Sequence, residues 1–284
     1  MTGAITTVLL DLDGVLYVED DPIPGAVEAV EALRGRGLRL RFVTNTTSRS
    51  RAQVASRLAR LGFTLPAETV LTPASLAVRR CGVVGHKRVK LLVAPALRED
   101  LAGLAQVKPG ERPDAIILGD LGEGFTYEVL NEAFRCMEAG AELIALQRNR
   151  FWRRTDGLAM DVGAYVAALE YATGKEATVV GKPEEAFFKA ALADAHDEPG
   201  HALMVGDDIE ADVGGALHAG LSGVLVRTGK YRPGAEERSG VTPTAVIDSI
   251  ADLPRLLDEG LPAPAAPSAS PLRRRVRPRF GPAA

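Results

Sequence analysis

Residues 8–20 read VLLDLDGVLYVED, an apolar run that ends in two acids, Asp11 and Asp13. Along a strand, residues i and i+2 point the same way, so these carboxylates converge on one face. Like charges that close repel and shift each other's pKa values, a cost that a cation or a proton-transfer task offsets. Gly14 then allows a turn that a residue with a Cβ would resist. The plain alternative is a strand that merely ends in polar residues, and the rest of the chain must decide between the two.

At 284 residues the chain is long for one core, which predicts two domains. A content of 46% hydrophobic and 25% charged residues is ordinary for a soluble globular protein. No apolar run approaches the roughly 18 residues that span a bilayer, so no membrane partner is expected. Residues 1–10 lack the basic start and long apolar stretch of a signal peptide. Cys81 and Cys136 fit no metal spacing and read as two free, buried thiols in a reducing cytoplasm. The net charge of −3 hides an asymmetry: from Leu261 onward there are five arginines (273, 274, 275, 277 and 279) and no acids. The acidic body that remains argues against nucleic acid as a partner. The Pro/Ala-rich stretch 261–284 reads as a disordered, solvated tail.

Strand-like and helix-like runs alternate almost throughout, the signature of an α/β fold with a mostly parallel sheet. AITTVLLDLD, LRLRFVTN, EATVVGKP, HALMVGDD and SGVLVRTG read as strands. PGAVEAVEALRGRG, SRAQVASRLARLG, EEAFFKAALADA and DIEADVGGALHAG read as the helices between them. A second set lies between Pro73 and about Thr173, with strands RVKLLVAP, PDAIILGD and AELIALQ. Its helices are ALREDLAGLA, TYEVLNEAFRCMEAG and VGAYVAALEYATG, enough for an inserted α/β domain. The expected division is core 1–72, insert 73–176, core 177–260 and tail 261–284. Open parallel sheets bind ligands at the carboxyl ends of strands, and there four polar groups line up. They are Asp11 with Asp13, Thr44 with Asn45, Lys182, and Asp207 with Asp208 and Asp212.

Phosphoryl transfer needs these types. A carboxylate can act as nucleophile and form an acyl phosphate, and hard oxygen ligands hold Mg²⁺. A hydroxyl, an amide N–H and a fixed ammonium neutralise the phosphoryl oxygens. A second acid protonates the leaving oxygen and then activates water. Each piece alone has a plain reading. Thr44 could cap a helix, Lys182 could sit in a solvated loop, and Asp207 to Asp212 could be an acidic helix start. Four in order at strand ends is harder to reach by chance.

DLDG, TN, GKP and GDDIEAD, in that order, resemble the motifs of the haloacid dehalogenase-like hydrolase superfamily. The insertion between the second and third resembles the NagD-like subclass, whose Rossmann-like, doubly wound parallel-sheet core carries a large α/β cap. NEAFRCM, GLAMDVGAYVAALEYATG, ATVVGKPEEAFF, VGDDIEADVGGA and VRTGKYRP are similar to the branch containing phospholysine phosphohistidine inorganic pyrophosphate phosphatase. The resemblance spans roughly residues 5–258. It implies Asp11 as nucleophile, Asp13 as general acid/base, and Mg²⁺ on the Asp11 and Asp207 carboxylates and the Asp13 carbonyl. Thr44, Asn45 and Lys182 would hold the phosphoryl group of a small substrate. Asp212, with Asp208 the weaker candidate, would position Lys182 or a metal-bound water. Caps of this size sometimes pair, so a homo-oligomer is compatible.

One departure bears on the substrate. Animal members of that branch carry Ser at the position of Asp13. A phosphoramidate or metal-bound pyrophosphate leaves with less help from an acid, whereas an alkyl phosphate needs a proton on its leaving oxygen. Asp13 therefore points to a more general phosphomonoesterase, with specific P–N or P–P cleavage as the alternative. The cap stretch 147–163 is expected to set specificity: Arg148, Arg150, Arg153 and Arg154 suit an anion, and Phe151 and Trp152 suit a ring. Packing and solvation are the plain readings for each. Tyr17 suits a small flap beside the nucleophile or simple packing. His86, His196, His201 and His218 have no metal spacing and read as structural or surface residues.

Competing folds lack their marks. Residues 11–25 hold no G-x-G-x-x-G for a dinucleotide, and no G-x-x-x-x-G-K-[ST] occurs. A receiver domain would be shorter and would lack the insert. A non-catalytic scaffold on this fold should have lost Asp11, Asp13, Lys182 or Asp207, and all four are present.

Overall fold

The computed structural model describes residues 4–262 apart from 109, 155 and 156, and leaves aside the side chains of 152–154. The tail beyond 262, expected to be disordered, lies outside the described residues. Six parallel strands form the larger sheet, in the order Ala245–Ile247, Ser222–Val226, Ala202–Gly206, Thr7–Asp11, Arg39–Val43, Val70–Leu71. The chain runs from the central Thr7–Asp11 to one edge, then returns beside it and proceeds to the other. The strand order therefore reverses between Thr7–Asp11 and Ala202–Gly206, the point at which doubly wound sheets open a crevice.

Thr7–Asp11 is buried along its whole length, as a strand covered by helices on both faces must be. Val8 and Leu10 face a cluster with Leu33, Phe42, Leu58 and Leu253, whereas Leu9 faces one with Val43, Met204, Phe187 and Phe188. This two-sided burial is why the sequence reads as a continuous apolar run rather than an alternation. Helix starts follow local rules. Ser50 and Gln53 form a capping box for Arg51–Arg60, and Thr72 and Ser75 form one for Pro73–Val84, with Pro73 inside the first turn.

The insert holds a second parallel sheet, in the order Thr178–Val179, Glu142–Ala145, Ala115–Leu118, Arg88–Leu92, Ala105–Gln106. Thr178–Val179 corrects one expectation, because this strand pairs with the insert's sheet and not with the core's. Thr178 Oγ1 donates to Glu142 Oε1 at 2.6 Å, which helps hold it there. Lys182 thus reaches the core by a loop past the insert, through a cis Lys182–Pro183 bond, and not from a core strand end. Helix Pro73–Val84 packs across the expected boundary at 73: Ala74, Leu76, Ala77 and Cys81 share one buried cluster with Leu9 and Phe187 and with Val89 and Ile117.

Two further expectations change. ALREDLAGLA contains only a short 3₁₀ turn, Pro95–Arg98. DIEADVGGALHAG opens with a π-helical turn, Ile209–Gly214, before the short helix Gly215–His218. Among the described residues two hairpins decorate the sheets, Tyr17–Val18 with Asp21–Pro22 and Phe151–Arg154 with Gly157–Met160. Cys81 is buried and Cys136 half-buried, both free. Among the described residues no helix is long and apolar enough to cross a membrane.

Candidate active site

The site grows from the reversal point of the larger sheet. Asp11 is the last residue of the central strand, and Asp207 follows Gly206 at the end of its neighbour. Lys182 reaches in from the loop, and its Nζ donates to Asp11 Oδ1 and Asp212 Oδ1, each at 2.7 Å. All three side chains are nearly inaccessible to solvent. Burial alone would push the Lys182 ammonium down, but the Asp11 and Asp212 carboxylates reverse this and hold it above the ordinary lysine value. It stays charged, with one of its three N–H donors left for a ligand.

Asn45 fixes this lysine. Its Oδ1 accepts the Lys182 backbone N–H at 2.8 Å, and its Nδ2 donates to the Lys182 carbonyl at 2.9 Å. The side chain expected on the phosphoryl group is thus engaged with the Lys182 backbone. Thr44 is buried, and its hydroxyl accepts the Thr46 N–H at 3.1 Å, which leaves its own O–H free to donate.

Asp212 is placed by the π-helical turn, where the N–H groups of both Asp212 and Val213 bond the Asp208 carbonyl. Wide turns of this kind recur at functional sites. Asp208 caps the turn, accepting from Glu210 and Ala211 N–H at 3.1 and 3.0 Å. The resemblance made it the weaker candidate for positioning Lys182 or a metal-bound water, and here its side chain is engaged in the cap.

Asp207 sits in a narrow slot. A Cβ on Gly14 would lie 1.9 Å from Asp207 Oδ2, and one on Gly229 would lie 2.1 Å away. Both glycines have positive φ, +86° and +60°, so the slot needs glycine for conformation as well as space. Lys230 N–H donates to Asp207 Oδ2 at 2.7 Å, while Oδ1 is buried with no hydrogen-bond partner. An orphaned carboxylate oxygen is costly. Burial first, then Asp11 and Asp212, push the Asp207 pKa up to about 8. Asp11, Asp207 and Asp212 each offer an oxygen within 4.8 Å of the others. Three buried carboxylates and one unpartnered oxygen fit a hard divalent cation, which would relieve both the repulsion and the orphan. None of the four histidines joins a metal-ligating group among the described residues. His86, for one, pairs with Glu142 at 2.5 Å.

Asp13 faces the cleft, and partial burial followed by the Asp11 carboxylate raises its pKa. The cleft holds about 330 Å³ and is shared by both sheets. The core side supplies Asp11, Asp13, Thr44 and Lys182, joined by Arg49 and Lys230, which carry no motif of their own. Lys230 lies in VRTGKYRP, a stretch that the sequence offers only for its likeness to a family branch. The insert supplies Asp120, Gln147, Asn149 and Asp161. Arg148 and Arg150, offered for an anion, take the plain readings of pairing and solvation instead. Arg148 forms a two-pronged pair with Glu170, and Arg150 is exposed and absent from the cleft lining. The Trp152, Arg153 and Arg154 side chains lie outside the described residues.

A family profile described as haloacid dehalogenase-like hydrolase matches residues 8–105, and one described as HAD-hydrolase-like matches residues 179–253. Human haloacid dehalogenase-like hydrolase domain-containing protein 2 is 43% identical over 248 residues, covering 87% of this chain and 93% of its own. Phospholysine phosphohistidine inorganic pyrophosphate phosphatase from Xenopus laevis is 41% identical over 256 residues, covering 88% and 93%. The two identities are nearly equal, so the likeness to the second branch is shared with the first. A glycerol phosphate phosphatase from Mycobacterium tuberculosis, solved in complex with magnesium, superposes with a TM-score of 0.77 at 33% identity, covering 89% of this chain and 78% of that one. This chain belongs to the haloacid dehalogenase-like hydrolase family.

Proposed function

We propose that this protein is a Mg²⁺-dependent phosphatase that cleaves a small phosphorylated substrate through an aspartyl phosphate on Asp11. The carrying observation is the buried Lys182, bonded to Asp11 and Asp212 beside the orphaned oxygen of Asp207. Asp11 and Asp207 carboxylates and the Asp13 carbonyl would hold Mg²⁺. When bound, the ion supplies positive charge against the phosphoryl oxygens and the nucleophile.

The chain's own groups do the rest. Asp11 attacks phosphorus, and its carboxylate oxygen becomes part of an acyl phosphate as the bond to the leaving oxygen breaks. Asp13, whose raised pKa favours the protonated form, gives its proton to that oxygen. It then takes a proton from the water that attacks the phosphorus and restores Asp11. Thr44 O–H and the remaining Lys182 N–H bind the phosphoryl oxygens. Asn45 and Asp212 hold that lysine in place. In this reading 1–72 and the chain after Val179 to residue 260 form the catalytic core, 73–179 the cap that closes the cleft, and the leaving group meets Asp120, Asn149 and Asp161.

The presence of Asp13 favours ordinary phosphomonoesters. The names of two relatives bring glycerol phosphate, pyrophosphate and phosphoramidates into the test set. Phosphate release from alkyl and aryl phosphates, pyrophosphate and a phosphoramidate, with Mg²⁺ and with chelator, tests the proposal. Mg²⁺-dependent turnover with alkyl esters among the substrates is expected. Turnover of pyrophosphate or phosphoramidate alone would move the assignment to P–P or P–N cleavage, and none at all would leave a scaffold.

A further inference from the structure

We propose that Arg57 is a positioning residue for the leaving-group acid, clamping the flap hairpin to the core so that Asp13 is fixed against the scissile oxygen. The inference rests on the reading of Asp13 as that acid. Asp13 is tied to the flap by backbone. Gly14 N–H donates to the Tyr17 carbonyl at 2.7 Å, and Asp13 and Tyr17 form an isolated β-bridge. Whatever holds Tyr17 therefore holds the Asp13–Gly14 peptide.

Arg57 holds it twice. Its guanidinium carbon lies 4.5 Å from the centroid of the buried Tyr17 ring, within cation–π range. The same guanidinium donates through Nη2 to the Glu19 carbonyl at the tip of the flap. Glu19 has φ +51°, a left-handed conformation that a residue with a Cβ adopts at a cost. A turn strained in this way needs an external hold, and the Glu19 carbonyl receives one. The pair with Asp20 adds little, because that side chain is 95% exposed while Arg57 is 11% exposed.

The anchor itself is firm. Arg57 projects from helix Arg51–Arg60, which is fixed by the Ser50–Gln53 capping box and by buried Val54 and Leu58. Tyr17 is buried, and a phenol is neutral at about pH 7. The ring is thus a neutral platform for the cation. A planar fork over a ring, with one edge on a carbonyl, is a task for Arg more than for Lys.

The test compares alkyl and aryl phosphate turnover in Arg57→Met, Arg57→Lys, Asp13→Asn and the Arg57→Met/Asp13→Asn double variant. Arg57→Met is expected to lower kcat/KM about tenfold on the alkyl ester, a fraction of the roughly 10²–10⁴-fold that a positioned acid contributes. The aryl ester, which leaves without a proton, should change by less than about threefold in kcat/KM, a ratio that ends at alcohol release and so leaves out the shared hydrolysis of the acyl phosphate. Arg57→Lys should recover part of the alkyl rate, and Asp20→Ala should change nothing. In the double variant the alkyl losses should not multiply, because both act through one proton transfer. Equal losses on both esters, or multiplying losses, would overturn the proposal. If Arg57→Met does not fold, the alkyl-to-aryl ratio of Arg57→Lys decides in its place. An Asp13→Asn variant without ester selectivity would instead sink the reading of Asp13. Selectivity in Asp13→Asn without it in either Arg57 variant sinks only the clamp.

Discussion

Asp207 is held between Gly14 and Gly229, two glycines from stretches more than two hundred residues apart, and each is placed so that any Cβ would strike its carboxylate. The slot leaves one oxygen to the Lys230 amide and the other unpartnered. Gly14→Ala is accordingly expected to lower activity at least tenfold and to weaken Mg²⁺ binding, read by titration calorimetry, while circular dichroism stays native. The φ of +86° adds about 1–2 kcal/mol of strain to the displaced carboxylate. Normal Mg²⁺ affinity in that variant would mean that Asp207 is not placed by the slot. Gly14 was legible in the sequence because it follows the acid pair at a turn. Gly229 and Lys230 were not, since nothing local to RTGK shows that it returns to the first motif. The Arg148 charge was legible too, but its Glu170 partner lies a helix away, so the sequence alone placed it in the cleft.

Single elements show where strand patterns inform and where they mislead. The continuous apolar run of Thr7–Asp11 announced a central strand, and its i, i+2 spacing announced the acid pair. TVV before GKP carried the same pattern and was assigned to the wrong sheet, because β-branched residues mark a strand without naming its neighbour. Only Thr178 Oγ1 on Glu142 and the ladder to Glu142–Ala145 show which sheet it joins. At the opposite end of the central strand, Asp197 accepts from the Thr6 and Thr7 hydroxyls and from Arg39, and so ties two strands to the end of helix Glu185–Ala195. Burial would raise its pKa, yet these donors hold it well below the usual carboxylate range. A depressed folded pKa stabilises above the unfolded value and loses that contribution as pH falls through the folded one. Asp197→Ala is expected to cost about 2–3 kcal/mol at neutral pH. The gap from wild type should narrow once pH drops below about 4. Urea melts at several pH values check both the size and the direction.

Across the whole molecule, the reversal of strand order sets where chemistry can occur, and the insert's sheet closes the other side of the same cleft. This architecture was readable from alternating segments and the order of four motifs, whereas the cap residues at the cleft depend on tertiary packing that no spacing encodes. The buried acids also give the fold a pH signature. Asp207 is raised from an ordinary carboxylate value to about 8, and Asp13 is raised as well. Raised acids favour the protonated folded state, so without metal the melting temperature should fall as pH rises from about 4 to about 8. Saturating Mg²⁺ should offset most of that fall, because it binds the folded carboxylates. A metal-free melting temperature that stays flat across the window would contradict the clustering of charge.

The aspartyl phosphate on Asp11 is the central claim, and chemical trapping addresses it most directly. The Asp13→Asn variant, slowed in the second step, is mixed with an aryl phosphate and Mg²⁺, quenched in acid and treated with borohydride, which reduces acyl phosphates to alcohols. Peptide mass analysis should then find homoserine in place of Asp11 and at no other acid. Reduction at a different residue, or ongoing turnover with Asp11 unmodified, would contradict the account.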